Sequence, residues 1–375
     1  MKKKIKNKNI KMGTCNTTNG KKRSNKIIKI NHRKEENVEG DYIVPEHLAN
    51  HNDINKKYKL SKGVVGEGAT GVVCEGVDKT GNHYAVKRIN KMKLKDRKIL
   101  YNEATISLKV DHPHIIKTYE VYEDLKTVSF IMDLINGGDL FDYITQSPEG
   151  KLTDEDSLNL LIQVLETLYY LHEVMNICHR DIKPENFLVQ ILDNGQPYLK
   201  LIDFGFACEI KPNLKDYLGT PIYTAPEIIM RDEYNEKVDI WSTGILFYNM
   251  LTGCQPYNSN DFIPLDQQVL NKSIPFSKIK NNQLRDLCKK LCNKNPIKRV
   301  NAKEALEIVY DIRDEIEKCE LQEQFEQLDS MKNGKLSLET LRNHFNLDLN
   351  EEGDGNKLIN FEQFYKMVVN SVKDY

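Results

Sequence analysis

Short runs of β-branched and apolar residues, broken by glycine, open the patterned part of the chain. Lys59 to Val65, Gly71 to Val77 and His83 to Ile89 read as strands of an antiparallel sheet. A helical pattern from Asp96 to Val110 interrupts them. Past Gly137 and Gly138 the period becomes helical: Thr153 to Asp156 has capping-box spacing, and Leu158, Leu161, Ile162, Leu165 and Leu168 follow at helical intervals. The pattern predicts an α+β chain with two lobes, an N-terminal sheet carrying one helix and a mainly helical second lobe. Residues 1–57 sustain no period, are rich in Lys and Asn, and are expected to form a disordered arm because they bury too little apolar surface. The second lobe is expected to end at 310. Ile308, Ile312, Ile316 and Cys319 continue a helix into a C-terminal region, 311–375.

With 375 residues, 39% hydrophobic and 29% charged, the composition fits a soluble protein of more than one core. No apolar stretch approaches the roughly 20 residues of a membrane helix, and no secretory signal is expected behind the basic, polar N-terminus. The eight cysteines form no CxxC pair, which argues against a disulfide framework or a zinc site and for a reducing, cytoplasmic setting. The net charge of -1 conceals an asymmetry: residues 1–34 contain no Asp or Glu, whereas acidic residues outnumber basic ones from Glu304 to Asp354. The basic arm reads as a solvated tail or as a segment drawn to anionic membrane; no nucleic-acid partner is expected. Within it, Met12-Gly13-Thr14-Cys15-Asn16-Thr17 fits the myristoylation pattern at Gly13, with Cys15 placed for palmitoylation. Gly13 is available for acylation only if translation starts at Met12, and a single acyl chain needs the second signal that this arm offers.

The candidate chemistry begins at Gly66-Glu67-Gly68-Ala69-Thr70-Gly71-Val72-Val73, where positions without side chains let backbone N–H groups approach phosphate oxygens. Alone this motif is equally compatible with a dinucleotide fold, but there it precedes a helix. Here a strand and then Tyr84-Ala85-Val86-Lys87 follow, so the loop lies within a hairpin. Lys87 in an apolar strand needs a charged partner, and Glu103 on the next helix is the natural counter-ion. By itself such a pair is more often a structural salt bridge.

His179-Arg180-Asp181-Ile182-Lys183-Pro184-Glu185-Asn186, Asp203-Phe204-Gly205 and Ala225-Pro226-Glu227 then appear in order. With the earlier two motifs, the chain from about Tyr58 to Tyr310 resembles the eukaryotic serine/threonine protein kinases. The resemblance implies a bilobal kinase fold and transfer of the γ-phosphoryl group of ATP to protein hydroxyls, with Mg2+ as cofactor. It implies that Asp181 accepts the substrate proton, Lys183 steadies the phosphoryl group, and Asn186 and Asp203 hold Mg2+. Val65, Gly66, Glu67, Gly68 and Gly71 would cover the nucleotide, and Lys87 and Glu103 would orient its phosphates. Val73, Ala85 and Leu188 would enclose adenine, beside a hinge from Asp133 to Ile135 that follows Met132. Asp139 would reach ribose and, with Glu185, a substrate Arg three residues before the acceptor. Asn249 stands where an acidic residue would read a further Arg, and Thr220 belongs to the substrate side. Arg180 needs an anion; Asp216 is expected to supply it, so that loop phosphorylation is unnecessary, with a solvated surface Asp as the alternative. Glu227 should bond Arg299, and Asp239 and Trp241 should mark a buried helix. Cys288 and Cys292, one turn apart without further ligands, read as core packing.

The C-terminal region resembles a shortened calmodulin-like domain of the calcium-dependent protein kinases of plants and protozoa. Asp329, Asn333, Gly334 and Leu336 fit one EF-hand loop, but Met331 and Thr340 stand where calcium needs hard oxygens. A second remnant, Asp354-Gly355-Asn356 before Ile359-Asn360-Phe361, has Gln363 in place of the bidentate Glu. A structural lobe is therefore expected, with a calcium switch through Asp329 and Asn333 as the alternative. A scaffold without phosphotransfer would lack Lys87, Asp181 or Asp203, all of which are present.

Overall fold

The computed structural model describes residues 42–67, 71–94, 97–345 and 357–373. The three glycine-broken runs form strands β1 (Tyr58–Glu67), β2 (Gly71–Asp78) and β3 (His83–Asn90). Helix α1 (Lys98–Ser107) follows, and β4 (Thr118–Glu123) and β5 (Thr127–Asp133) complete a five-stranded antiparallel sheet in the order β1-β2-β3-β5-β4. Its register sets Val73 opposite Lys87 and Ala85 opposite Met132. Side chains alternate between faces along a strand, so these four share one face. Helix α1 is shorter than the Asp96 to Val110 pattern. Asp96 lies outside the described residues; after Ser107 the Lys109 and Val110 N–H groups both turn back onto the Ile106 carbonyl, and His112 before Pro113 disfavours any helix beyond.

The second lobe holds α2 (Leu140–Gln146) and α3 (Asp154–Tyr169), then short strands β6 (Ile177–Cys178), β7 (Phe187–Ile191), β8 (Pro197–Leu201) and β9 (Cys208–Glu209). β6 pairs with β9 and β7 with β8. Helices α4 (Pro226–Ile229), α5 (Lys237–Thr252), α6 (Leu265–Asn271), α7 (Asn282–Leu291) and α8 (Ala302–Leu328) follow. Thr153 caps α3 as its sequence predicts, accepting the Asp156 N–H at 3.0 Å. α5 is buried from Val238 to Leu251, the pattern of a helix that is apolar all round. Leu160, Leu161, Leu165 and Leu168 of α3 and Trp241, Ile245 and Phe247 of α5 share the main core. Cys288 and Cys292 are buried, and a side chain at Gly244 would meet the Cys292 sulfur.

One sequence boundary is corrected. Residues 42–57 are not part of a disordered arm but lie on the N-terminal lobe. Ile43 and Val44 donate their N–H groups to Glu123, Asn50 bridges Tyr122, and Val44 and Ala49 are buried. Few and irregularly spaced apolar residues suffice there because backbone bonds to β4 supply the rest. The expectation for residues 1–41 lies outside the described residues. The helix expected to continue past 310 does so: α8 runs unbroken because Asn301 and Glu304 form a reciprocal cap at its start and nothing breaks it before Leu328. Beyond it β10 (Lys335–Ser337), α9 (Leu338–Phe345), β11 (Leu358–Asn360) and α10 (Phe361–Lys373) follow, with β10 and β11 antiparallel. Phe325, Leu336, Leu338, Leu341, Ile359 and Phe364 give this region a core of its own.

Candidate active site

A cavity of about 510 Å3 opens between the sheet and the helical lobe. Val65, Gly66, Gly71 and Val73 line it from β1 and β2, and Ala85 and Lys87 from β3. Asp133, Ile135, Asp139, Glu185, Asn186, Leu188 and Asp203 close it from the other side. Glu67 ends β1 opposite Val72, and Gly68 lies outside the described residues. Gly71 is needed sterically, since a Cβ there would stand 2.4 Å from the Arg88 carbonyl oxygen.

Lys87 Nζ lies 2.6 Å from Glu103 Oε1 and 3.4 Å from Asp203 Oδ1, with the Lys87 and Glu103 side chains nearly inaccessible. Burial works against the Lys87 ammonium, but the Glu103 and Asp203 carboxylates outweigh it and hold its pKa above the ordinary lysine value. Burial likewise pushes Asp203 up, yet the Lys87 charge and the Gly205 N–H, 2.9 Å from Oδ1, hold it below the usual carboxylate range. Phe204 is buried, its ring edge-on to His179 at 5.4 Å, which keeps Asp203 turned toward Lys87.

Across the cavity mouth, Asp181 is the hub. Thr220 donates its hydroxyl to Oδ1 at 2.9 Å, and Asn186 Nδ2 and Lys183 Nζ reach Oδ2 at 3.0 and 2.7 Å. Lys183 also donates to the Thr220 hydroxyl at 2.9 Å. Arg180, next in the chain, has φ 67°, a left-handed conformation that is costly for this residue. Asp239 compensates by accepting the His179 and Arg180 N–H groups at 2.8 and 2.7 Å and His172 Nε2 at 2.9 Å. A π turn at Tyr170–Val174 after α3 carries His172. Burial raises Asp239, but the His172 bond and the nearby histidines win and its pKa is lowered.

The Arg180 side chain anchors the segment after Gly205. Its Nε donates to the Phe206 carbonyl at 2.7 Å, and its Nη1 to Asp216 Oδ2 at 2.9 Å and Tyr234 OH at 3.1 Å. Arg299 grips Glu227 with two bonds of 2.6 and 3.0 Å, and its guanidinium stacks 5.4 Å from the Trp241 ring centre.

Asp139 has a role that its sequence position did not announce. It caps α2, accepting the Asp142 N–H at 2.8 Å, while also lining the cavity. Asp133 turns its carboxylate away, toward the Tyr119 hydroxyl at 2.6 Å. Leu134 lies in the expected hinge; sequence reasoning missed Ile116 and Ile202 of the lining and gave Gly137 and Gly138 no part in it. The apolar ones look like any core residue. Gly137 carries a signal, because a Cβ there would stand 1.8 Å from the Val189 carbonyl oxygen. Asn249 is buried on α5.

Away from the cavity, Asp329 accepts the N–H groups of Asn333 and Gly334 at 3.2 and 2.6 Å. Met331 is 83% exposed, and Thr340 Oγ1 pairs with Ser337 Oγ at 2.8 Å. Gly13 and Cys15 lie outside the described residues.

The protein kinase domain model matches residues 59–310. Calcium-dependent protein kinase 5 of Plasmodium falciparum is 38% identical over 228 residues, covering 60% of this chain and 39% of that protein. Calcium-dependent protein kinase 4 of Plasmodium berghei is 35% identical over 263 residues, 68% of this chain and 49% of that one. The human serine/threonine-protein kinase DCLK2 is 40% identical over 225 residues, 59% and 29% respectively. The matching region is thus less than half the length of each of these relatives. With a family model spanning both lobes and the cleft between them, and with serine/threonine kinases, calcium-dependent ones among them, as its relatives, this chain belongs to the protein kinase family.

Proposed function

We propose that this chain transfers the γ-phosphoryl group of ATP to serine and threonine hydroxyls of proteins. One observation carries the reading: Lys87, paired with Glu103 and Asp203, lines with Asp203 the same cavity as Lys183 and Asn186, which both bond the Asp181 carboxylate just beside it. Asp203 and Asn186 offer a carboxylate and an amide oxygen, hard donors that suit Mg2+. Mg2+, when bound, neutralises charge on the phosphates. Lys87 holds the nucleotide phosphates, and Glu103 keeps its ammonium in place. Asp181 takes the proton of the incoming hydroxyl; the Thr220 hydroxyl already donates to the same oxygen. Lys183, 2.7 Å from Asp181, is positioned to steady charge that develops on the transferred group.

Asp139 and Glu185 both line the cavity, and two carboxylates there favour a substrate Arg three residues before the acceptor. Asn249 offers no charge for a second one. The Asp216 to Arg180 bond supports competence without loop phosphorylation. The C-terminal region reads as an EF-hand-like lobe whose role is structural, because Met331 and Thr340 supply neither carboxylate of a calcium loop. The names of the Plasmodium relatives favour a second reading, a calcium switch acting through Asp329 and Asn333. Acylation at Gly13 and Cys15 with the basic arm would place the protein at the cytoplasmic face of anionic membrane. The test is phosphate transfer from labelled ATP to peptides with Arg or Ala three residues before Ser, with and without calcium. The reading expects transfer that needs the Arg and ignores calcium. Transfer to neither peptide would refute the kinase reading, and strict calcium dependence would select the switch.

A further inference from the structure

Residues 42–50 are tied to the N-terminal lobe by an unusual clamp. Glu123, at the end of β4, is 1% exposed, and its two oxygens accept the consecutive N–H groups of Ile43 at 2.7 Å and Val44 at 2.9 Å. Lys91 Nζ, itself buried, reaches the same carboxylate at 2.9 Å, and the Tyr42 ring lies 5.7 Å over that ammonium. A buried carboxylate needs several donors to repay its lost hydration, and two of the three here come from the strap. The clamp delivers Val44 and Ala49 into an apolar cluster that also contains Leu100 and Ala104. Both belong to α1, the helix that presents Glu103 to Lys87. Leu108, which closes α1, shares a groove with Glu46, Leu48 and Asn50 of the same strap.

We propose that residues 42–50 act in cis as a positioning segment for α1. When the strap is seated, α1 is held at the depth at which Glu103 pairs with Lys87. When it is lifted, Leu100 and Ala104 lose apolar neighbours, Glu123 loses two donors, and the pair loosens. Seating of this segment therefore sets the fraction of molecules with a competent cleft. Its consequence for turnover rests on the kinase reading, whereas its grip on α1 does not.

The test uses the full chain carrying Val44→Asp, which puts a charge into the apolar seat. Hydrogen exchange across Lys98–Ser107 reads the grip without reference to catalysis, and KM for ATP and kcat on the Arg-containing peptide read its consequence. Exchange in α1 should rise by about tenfold or more. KM for ATP should rise more than kcat falls. A synthetic peptide of residues 42–52 should restore α1 protection and KM in trans, and the same peptide carrying Val44→Asp should restore neither. Should Val44→Asp not yield a folded chain, Glu123→Gln is read by α1 exchange and KM alone, because its defect lies in the seat and no strap peptide can reverse it. Unchanged α1 exchange in the variant used, or a loss in Val44→Asp that the peptide does not reverse, overturns the proposal. Restored protection in a protein that never phosphorylates any peptide leaves the strap standing and removes the kinase reading instead.

Discussion

Removing Asp216 isolates the anchor of the segment that follows Gly205. Arg180 is almost fully buried, but the Asp216 side chain is 65% exposed, so their 2.9 Å bond sits at the boundary between two regimes. Exposed ion pairs contribute about 0.2–1 kcal/mol, whereas hydrogen bonds to charged groups reach about 1.5–3 kcal/mol. In Asp216→Ala, Arg180 keeps the Phe206 carbonyl and the Tyr234 hydroxyl, and Tyr234 keeps its bond to the residue 216 carbonyl. The loss should therefore lie toward the lower figure, roughly 1 kcal/mol, which is about a fivefold change in the population of the ordered segment. Steady-state kcat/KM of the unphosphorylated variant should fall about 3- to 10-fold at low ionic strength. Because the carboxylate faces water, the gap to wild type should narrow toward 1 M salt. Asp216→Asn keeps an acceptor and should lose less. Equal turnover of wild type and Asp216→Ala at low salt would refute the reasoning and leave Asp216 as a solvated surface residue.

Two further outcomes test the scaffold under the site. Arg299→Leu strands the Glu227 carboxylate in the interior, where both partners are now almost inaccessible, and should cost about 3–5 kcal/mol. At roughly 2–4 °C per kcal/mol for a chain of this size, differential scanning fluorimetry should show a fall of about 6–20 °C, while Glu227→Leu with Arg299→Leu should recover part of it. Asp239 has a folded pKa below its ordinary value of 3.8, so its stabilising contribution is complete above that value and is lost as pH falls through the lower folded one. The urea-midpoint difference between wild type and Asp239→Asn should stay constant from neutral pH to about pH 5 and shrink only below about pH 4; a difference that shrinks already near pH 6 would point to the histidines instead.

The candidate catalytic residues were legible because phosphoryl transfer demands particular side chains at short, fixed spacings: Asp181, Lys183 and Asn186 fall within six consecutive positions, and all three converge in space. The Lys87 to Glu103 pair was legible for a different reason, the cost of burying an unpaired ammonium in a strand. Ile116 and Ile202 escaped notice because an apolar residue that will meet a ligand carries no mark that separates it from one that will meet its own core. The strap at residues 42–50 was missed because what holds it is two backbone N–H groups on Glu123, about eighty residues away, and backbone groups leave no trace in residue type. Asp139 shows the same limit at short range: its position suggested a ligand contact, and only the structure adds that one of its oxygens caps α2. The run of α8 past 310 was legible because Ile308, Ile312, Ile316 and Cys319 keep the helical period after the motif pattern stops.

The most direct measurement of the central claim is phosphate incorporation from labelled ATP into protein by wild type and Asp181→Asn, with nucleotide affinity measured in parallel. Asparagine keeps the size of the side chain but cannot take the proton, so incorporation should fall about 100- to 10,000-fold while nucleotide affinity changes little. Incorporation at the wild-type rate would contradict the account, since the cleft between the two lobes would then not be where the hydroxyl reacts.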